Sequence, residues 1–161
     1  MMLGEHNYAV RVDWTGNEGS GTSSYRAYGR QHTITPVGKG AEVKAVIKGS
    51  SDPTFHGNAE RWNPEELLLA ALSQCHMLSY LHVAVRHGVT VTAYTDSAVG
   101  VMRQRPGGGG SFASATLRPR VTISDPTQVD FAQSLHAEAA RECFIGASMN
   151  FPVVHEPVTT V

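Results

Sequence analysis

The chain has 161 residues, of which 41% are hydrophobic, and its 13 basic and 14 acidic side chains give a formal net charge of −1. This length and apolar content suit one folded domain with a sizeable core, and we predict a single domain over residues 1–161. The near-zero charge, without a run of basic residues, argues against a nucleic-acid-binding protein. The first residues lack the basic-then-apolar pattern of a secretory signal, so we expect a cytoplasmic protein.

The first third of the chain is predicted to form three strands separated by glycine-rich turns. Residues 6–14 alternate between apolar and polar side chains, which is typical of a half-buried strand. Further strands are predicted over residues 22–35 and 43–47, and residues 49–61 form a long polar loop. The apolar face predicted for the first strand consists of Tyr8, Val10, Val12 and Trp14.

A long apolar helix is predicted between residues 63 and 88. Asn63 is a good N-cap, Pro64 suits the first helical position, Glu66 can complete a capping box, and Gly88 provides a stop. Because the helix is apolar on almost all sides, we predict that it is buried. Polar residues interrupt it often enough to argue against a membrane span. These polar residues are Ser73, Gln74, His76, Ser79 and His82.

The rest of the chain is predicted to form two strands, a second helix and a closing strand. The strands cover residues 89–102 and 112–124 and are joined by a glycine-rich hairpin loop. The second helix runs from Asp125 to Cys143, and the last strand covers residues 153–161. The order βββ-α-ββ-α-β indicates an α+β fold, an antiparallel sheet with helices packed on one side. The predicted apolar stripe of the second helix is Phe131, Leu135, Ala139 and Cys143.

The only two cysteines, Cys75 and Cys143, lie one in each predicted helix. A buried cysteine is most often a small apolar residue, but two cysteines on helices of one core could approach each other. Cys75 also has polar neighbours on an otherwise apolar helix, with His76 adjacent and Ser79 and His82 on its face. Since buried polar groups need partners, this pattern favours a chemical role for the cysteines.

A reactive cysteine is a thiolate and needs a nearby positive charge. Cys75 lies too far along its helix to be influenced by the helix dipole, which acts mainly within the first turn. We therefore expect an arginine or a protonated histidine near it. The candidate arginines are Arg26, Arg30 and Arg61.

The Asn-Pro-Glu-Glu helix start at residues 63–66, a cysteine ten positions after Glu65 and a second cysteine late in the chain together resemble the OsmC/Ohr family. This resemblance implies an OsmC-like thiol-dependent hydroperoxide reductase that forms an intertwined homodimer with sites shared between subunits. It implies that Cys75 is the peroxidatic cysteine, Cys143 the resolving cysteine, and Glu65 the residue that orients a catalytic arginine. The family usually has Phe where this chain has His76, and its arginine matches no single position here.

The separation of Glu65 and Cys75 supports a dimer independently. Ten residues of helix span about 15 Å along the axis, and no Pro or Gly lies between the two positions. If both residues serve one site, Glu65 therefore comes from a second chain.

The leading hypothesis is a two-cysteine peroxidase of oxidative or osmotic stress defence, without cofactor or metal. The Cys75 thiolate attacks a hydroperoxide, Cys143 forms a disulfide with it, and an external dithiol reduces the disulfide. Apolar walls favour an organic hydroperoxide over hydrogen peroxide. The residues expected to form these walls are Leu72, Leu78, Phe144 and Met149.

Three alternatives remain open. Cys75, Cys143, His76 and His82 could bind zinc, although the two histidines are six positions apart and point to different sides of the helix. The protein could be an OsmC-like small-molecule binding protein with passive cysteines and no strong peroxidase activity. A Cys-His hydrolase is disfavoured because His82 lies about 10 Å from Cys75 along the axis. We expect the other histidines to be surface or hydrogen-bonded core residues; they are His6, His32, His56, His87, His136 and His155.

Overall fold

The computed structural model describes residues 4–161, which form nine strands in three sheets, four α-helices and short 3-10 turns. The chain divides into two compact units, the first ending at Leu67 and the second covering Leu68–Val161. The strands are β1 (Val10–Trp14), β2 (His32–Pro36), β3 (Ile47–Gly49), β4 (Val91–Asp96), β5 (Val99–Gln104), β6 (Gly110–Leu117), β7 (Pro119–Ile123), β8 (Val153–His155) and β9 (Val158–Thr160). The helices are α1 (Pro64–Arg86), α2 (Val129–Ser134), α3 (His136–Glu142) and α4 (Phe144–Ala147).

The first unit contains the antiparallel sheet β1-β2-β3. The predicted second strand, residues 22–35, is mostly a loop, and only its last residues pair as β2. Arg30 explains part of this difference, because its guanidinium donates hydrogen bonds to the carbonyl oxygens of Tyr25 and Tyr28, which hold the preceding segment in a turn. The predicted third strand is also shifted, since residues 41–43 form a 3-10 turn and β3 begins at Ile47.

The predicted burial of the first strand is wrong for the single chain. All four side chains of its apolar face are exposed, from 47% for Trp14 to 92% for Tyr8. Alternation therefore identified the strand correctly but not its burial, because period-two alternation indicates one apolar face and does not show what covers it.

Helix α1 begins and ends where its local signals predict. Asn63 and Glu66 form the capping box, with Glu66 N donating to Asn63 Oδ1 at 2.8 Å and Asn63 N to Glu66 Oε2 at 3.1 Å. Gly88, with φ of 70°, follows the helix in the left-handed conformation that glycine favours.

Only one face of α1 is buried, whereas the sequence predicts burial on all sides. The buried residues recur along one face between Leu72 and Ala84, while Leu78 and Val85 on the other face are 59% and 76% exposed. By length and composition alone α1 is long and apolar enough to cross a membrane, a test that core helices of soluble proteins also pass. The buried residues are Leu72, His76, Tyr80, Val83 and Ala84.

The second unit contains two mixed sheets, β4-β7-β9 and β5-β6-β8. In each sheet the first two strands pair antiparallel and the last strand pairs parallel. Each of the three strands predicted here is divided in two, and the two halves of each predicted strand join different sheets. One division occurs at Arg118, whose amide donates to Asp96 Oδ1 at 2.6 Å instead of continuing a ladder. The α+β class is confirmed, with mixed sheets instead of a purely antiparallel one.

The predicted second helix, residues 125–143, is a 3-10 turn followed by the two short helices α2 and α3, and α4 follows after Cys143. Asp125 accepts a hydrogen bond from Thr127 N at 2.9 Å, as its predicted capping role requires. The helix is then interrupted at Leu135 and again at Cys143, whose backbone is extended with φ of −77° and ψ of 105°. Cys143 is therefore in a bend between α3 and α4. In the predicted apolar stripe Leu135, Ala139 and Cys143 are buried, but Phe131 is 45% exposed.

Candidate active site

The structure brings the two cysteine sulfurs together in the second unit. Two consecutive backbone amides in α4 bind them, with Ile145 N donating to Cys75 Sγ at 3.5 Å and Gly146 N donating to Cys143 Sγ at 3.3 Å. Cys75 also raises the pKa of the Cys143 thiol, and both thiols are free. α1 contributes Cys75, and the bend between α3 and α4 contributes Cys143. The two cysteines therefore lie next to each other in the second unit although they are 68 positions apart in the sequence.

The two thiols differ in their environment. Cys143 is 2% exposed, whereas Cys75 is partly accessible to solvent. The pKa of the Cys143 thiol is raised to about 11, mainly by burial and also by the neighbouring Cys75, while the amide of Gly146 acts in the opposite direction. Cys75 is consequently the thiol that a dissolved reactant reaches first, and Cys143 is the more protected one.

A cleft of about 320 Å³ borders Cys143. Its walls include the apolar side chains of Leu72, Phe151 and Val153, together with Arg141 and His155. Of the four residues expected as apolar walls, Leu72 lies in this cleft, and Leu78 and Phe144 are exposed in the single chain. Met149 packs against the core cluster that contains Leu72. The cleft thus combines a mostly apolar surface with one cation and one imidazole.

Three histidines form a cluster beneath this cleft. His76 and His136 are 0% and 3% exposed and share a hydrogen bond of 3.1 Å between His76 Nε2 and His136 Nδ1, in which one ring donates and the other accepts. The ring of His155 lies 4.4 Å from that of His76, and Tyr80 stacks on His136 at 4.0 Å. Neither His76 Nδ1 nor His136 Nε2 has a hydrogen-bond partner among residues 4–161.

Burial keeps this cluster neutral. The pKa of His76 is lowered to about 4 and that of His136 to about 3, mainly by burial and in smaller part by the neighbouring imidazoles. Burial also lowers the pKa of His155, while the negative charge of Asp96 raises it. At pH 7 these rings therefore act as neutral donors and acceptors.

Asp96 is the charged group that acts on the cluster, since its negative charge raises the pKa of His76 and of His155 against the effect of burial. It lies at the end of β4, accepts a hydrogen bond from Ser73 Oγ at 2.5 Å and another from the Arg118 amide at 2.6 Å. Ser73, one of the polar residues of α1, thus has Asp96 as its hydrogen-bond partner within the second unit.

The candidate residues Arg26, Arg30, Arg61 and Glu65 belong to the first unit. Arg30 is held in its loop, since its Nη2 donates to the carbonyl oxygen of Tyr25 at 2.7 Å and its guanidinium lies 4.0 Å from the ring centre of Tyr28. Arg61 donates to a backbone carbonyl at 3.5 Å, and Arg26 is exposed beside Arg30 in a polar cleft of about 310 Å³. Glu65 lies in the first turn of α1. The catalytic roles of these four residues stay predictions.

Sequence reasoning missed three residues of the site. His155 and Arg141 border the cleft beside Cys143, and the charge of Asp96 raises the pKa of His155. His155 and Asp96 are placed by strand pairings, β8 with β6 and β4 with β7, which no local pattern indicates. His76 was noticed only as a neighbour of Cys75. Its ring binds His136 instead of a cysteine, and His82 is exposed on α1. Within residues 4–161 no group of three or more His, Cys, Asp or Glu side chains is arranged to hold a metal ion.

Together, the α+β fold and the paired thiols define the class of protein to which this chain belongs. A family model described as OsmC-like protein matches residues 57–157, well over half of the chain. The chain therefore belongs to the OsmC-like family. No curated protein sequence matches it.

Solved structures agree with this family. An OsmC-like protein of unknown function from Vibrio cholerae is 28% identical over 96% of this chain and 100% of its own, with a TM-score of 0.80. The organic hydroperoxide resistance protein of Elizabethkingia anophelis is 14% identical over 99% of both chains, with a TM-score of 0.69. An organic hydroperoxide resistance protein, OsmC, from Legionella pneumophila is 14% identical over 99% of this chain and 100% of its own, with a TM-score of 0.70.

Proposed function

We propose that this protein reduces organic hydroperoxides with its two cysteines. The observation that carries the proposal is the adjacency of a partly accessible and a buried thiol, bound by the consecutive amides of Ile145 and Gly146. The names of two structural neighbours, both organic hydroperoxide resistance proteins, support the same activity.

In the first step the Cys75 thiolate attacks the outer oxygen of the hydroperoxide. The O–O bond breaks, Cys75 becomes a sulfenic acid, and the alkoxide takes a proton and leaves as an alcohol. A guanidinium would stabilise both the thiolate and the departing oxygen, and we assign this role to one of Arg26, Arg30 and Arg61, with Glu65 orienting it.

In the second step Cys143 attacks the Cys75 sulfur and displaces hydroxide, which leaves as water. The resulting disulfide is reduced by an external dithiol, which restores both thiols. In the cytoplasm, where we expect this protein, dithiol systems of this kind are reduced.

The proposed active form is a homodimer. α1 is unbroken between Glu65 and Cys75, so the two positions lie about 15 Å apart along its axis. The exposed apolar side chains Leu78, Val85 and Phe144 suit burial against a second copy of the chain. In such a dimer Glu65 of one copy serves Cys75 of the other.

The cleft favours an organic substrate. Hydrogen peroxide has no apolar surface that Leu72, Phe151 and Val153 could bury. The alkyl or aromatic part of an organic hydroperoxide can contact these side chains. We therefore expect a higher kcat/KM for cumene hydroperoxide than for hydrogen peroxide.

Peroxide consumption with dithiothreitol tests the proposal. Wild-type protein is expected to turn over cumene hydroperoxide, and Cys75→Ser to lose turnover to the uncatalysed rate because the nucleophile is absent. Cys143→Ser is expected to retain oxidation of Cys75 but to accumulate its sulfenic acid, which dimedone traps.

Ser148→Ala is a suitable control, since its exposed hydroxyl donates to the carbonyl oxygen of Phe144 and touches neither thiol. Equal turnover by wild type and Cys75→Ser would contradict the proposal. It would leave the protein as a small-molecule binder with passive cysteines.

A further inference from the structure

The proposed reaction leaves one group beside the thiols without a role. His155 ends β8 and borders the same cleft as Cys143, while its ring packs 4.4 Å from that of His76. A half-buried imidazole at a cleft that also contains a buried thiol is an arrangement suited to proton transfer.

The second step of the proposed reaction needs such a group. Cys143 attacks as a thiolate, but burial and the neighbouring Cys75 raise the pKa of its thiol to about 11. Only about one in 10⁴ of such thiols is ionised at pH 7. Disulfide formation is therefore slow unless a base removes the proton during the attack.

We propose that His155 accepts the proton of the Cys143 thiol in the disulfide-forming step and returns it to the hydroxide that leaves Cys75. This inference rests on the proposed two-cysteine function and assigns a further residue to it.

The step balances in atoms and electrons. The S–S bond forms as the S–O bond of the Cys75 sulfenic acid breaks, so the Cys75 sulfur is reduced and the Cys143 sulfur is oxidised. The thiol proton passes to the imidazole and then to the departing hydroxide, which leaves as water. The oxidant is the organic hydroperoxide that formed the sulfenic acid in the first step.

The surroundings of His155 suit this role better than those of the other two rings. His76 and His136 are almost fully buried and bound to each other, whereas His155 reaches the cleft. Burial lowers the pKa of His155, so that the ring is a free base at neutral pH, and the negative charge of Asp96 favours the imidazolium that forms.

The other groups around His155 do not supply a competing base. His76 and His136 are almost fully buried and, with pKa values of about 4 and 3, are weak bases. Arg141, also at the cleft, is already protonated at neutral pH and cannot accept a proton. Burial raises the pKa of the Tyr94 phenol well above its ordinary value, and Tyr80 donates its hydroxyl to the carbonyl oxygen of Ala132.

The experiment follows a single turnover of the reduced full-length protein with one equivalent of cumene hydroperoxide. Acid-quenched samples are alkylated and analysed by mass spectrometry, which gives separate rate constants for oxidation of Cys75 and for disulfide formation. The variants are His155→Gln and, as a control with the same substitution, His6→Gln in the exposed N-terminal segment before β1.

We expect His155→Gln to slow disulfide formation at pH 7 by about 100-fold, the usual size of a general-base contribution, and to leave Cys75 oxidation unchanged. In wild type the rate of disulfide formation is expected to rise with pH only until His155 has lost its proton, and then to level off. In the variant it continues to rise about tenfold per pH unit towards the ionisation of Cys143 itself. A role in packing alone would not change the shape of this pH profile.

An unchanged rate and pH profile for disulfide formation in His155→Gln would overturn this inference and leave the peroxidase proposal standing. Absence of Cys75 oxidation in the wild type would instead overturn the proposed function. The two failures are therefore distinguished in one experiment.

Discussion

At the scale of single residues, the environments of the two cysteines divide the proposed work between them. Cys75 is partly accessible to solvent, whereas Cys143 is enclosed and its thiol has a raised pKa. The enclosed Cys143 thiol is therefore protected against direct oxidation and suited to react with a sulfenic acid formed next to it on Cys75.

The buried histidines make stability depend on pH. The pKa of His76 is about 4 in the folded chain and 6.5 in the reference state, so between these values the unfolded chain binds a proton that the folded chain does not. The contribution of His76 to stability is complete above pH 6.5 and is lost as the pH falls towards 4, by up to about 1.4 kcal/mol per pH unit. Urea denaturation between pH 7.5 and 4.5 measures this loss.

His76→Phe fills the same space without a titrating group, so we expect a shallower dependence of the unfolding free energy on pH. His6→Phe, at an exposed position, is expected to retain the wild-type dependence. A His76→Phe variant as acid-sensitive as the wild type would show that His76 is not buried in its neutral form.

The residues of the site were predictable only in part. The sequence supports an approach of Cys75 and Cys143, because both belong to helices of one core. His155 and Asp96 were not predictable, since each depends on a strand pairing between distant parts of the chain. His76 could be noticed beside Cys75, but its partner His136 could not.

At the scale of elements, local signals predicted the two ends of a helix more reliably than a break within it. The capping box of α1 and the Asp125 cap are confirmed because each depends on a few consecutive residues. The break at Leu135 was not predictable, since the apolar spacing of the second predicted helix continues through it. The divided strands were missed for the same reason, as alternation continues across a change of sheet.

The continuity of α1 leads to a prediction about subunits. If Glu65 of one copy serves Cys75 of the other, a mixed dimer of Glu65→Gln and Cys75→Ser chains has one complete site. Mixing equal amounts of the two variants, with reversible dissociation, is expected to restore about a quarter of wild-type turnover, because half of the dimers are mixed and each has one of two sites.

A control mixture and the outcome of the first mixture together check this prediction. Cys75→Ser mixed with the double variant Glu65→Gln/Cys75→Ser is the control and is expected to stay inactive. Failure of the first mixture to gain any activity, although subunits exchange, would contradict a shared site.

At the scale of the whole molecule, the second unit carries the thiols, the cleft and the histidine cluster, while the first carries the candidate arginines and Glu65. The family match and the solved structures establish the OsmC-like fold over nearly the whole chain. The chemistry proposed for it depends on one property of the second unit, the ability of its two thiols to oxidise each other.

The most direct test is a count of free thiols after one equivalent of cumene hydroperoxide is added to the reduced protein, followed by peptide mapping without a reducing agent. The account predicts that free thiols fall from two to none per chain and that a peptide containing the Cys75–Cys143 disulfide appears within the same chain. Two thiols that remain free, or a disulfide formed only between chains through one cysteine, would contradict it.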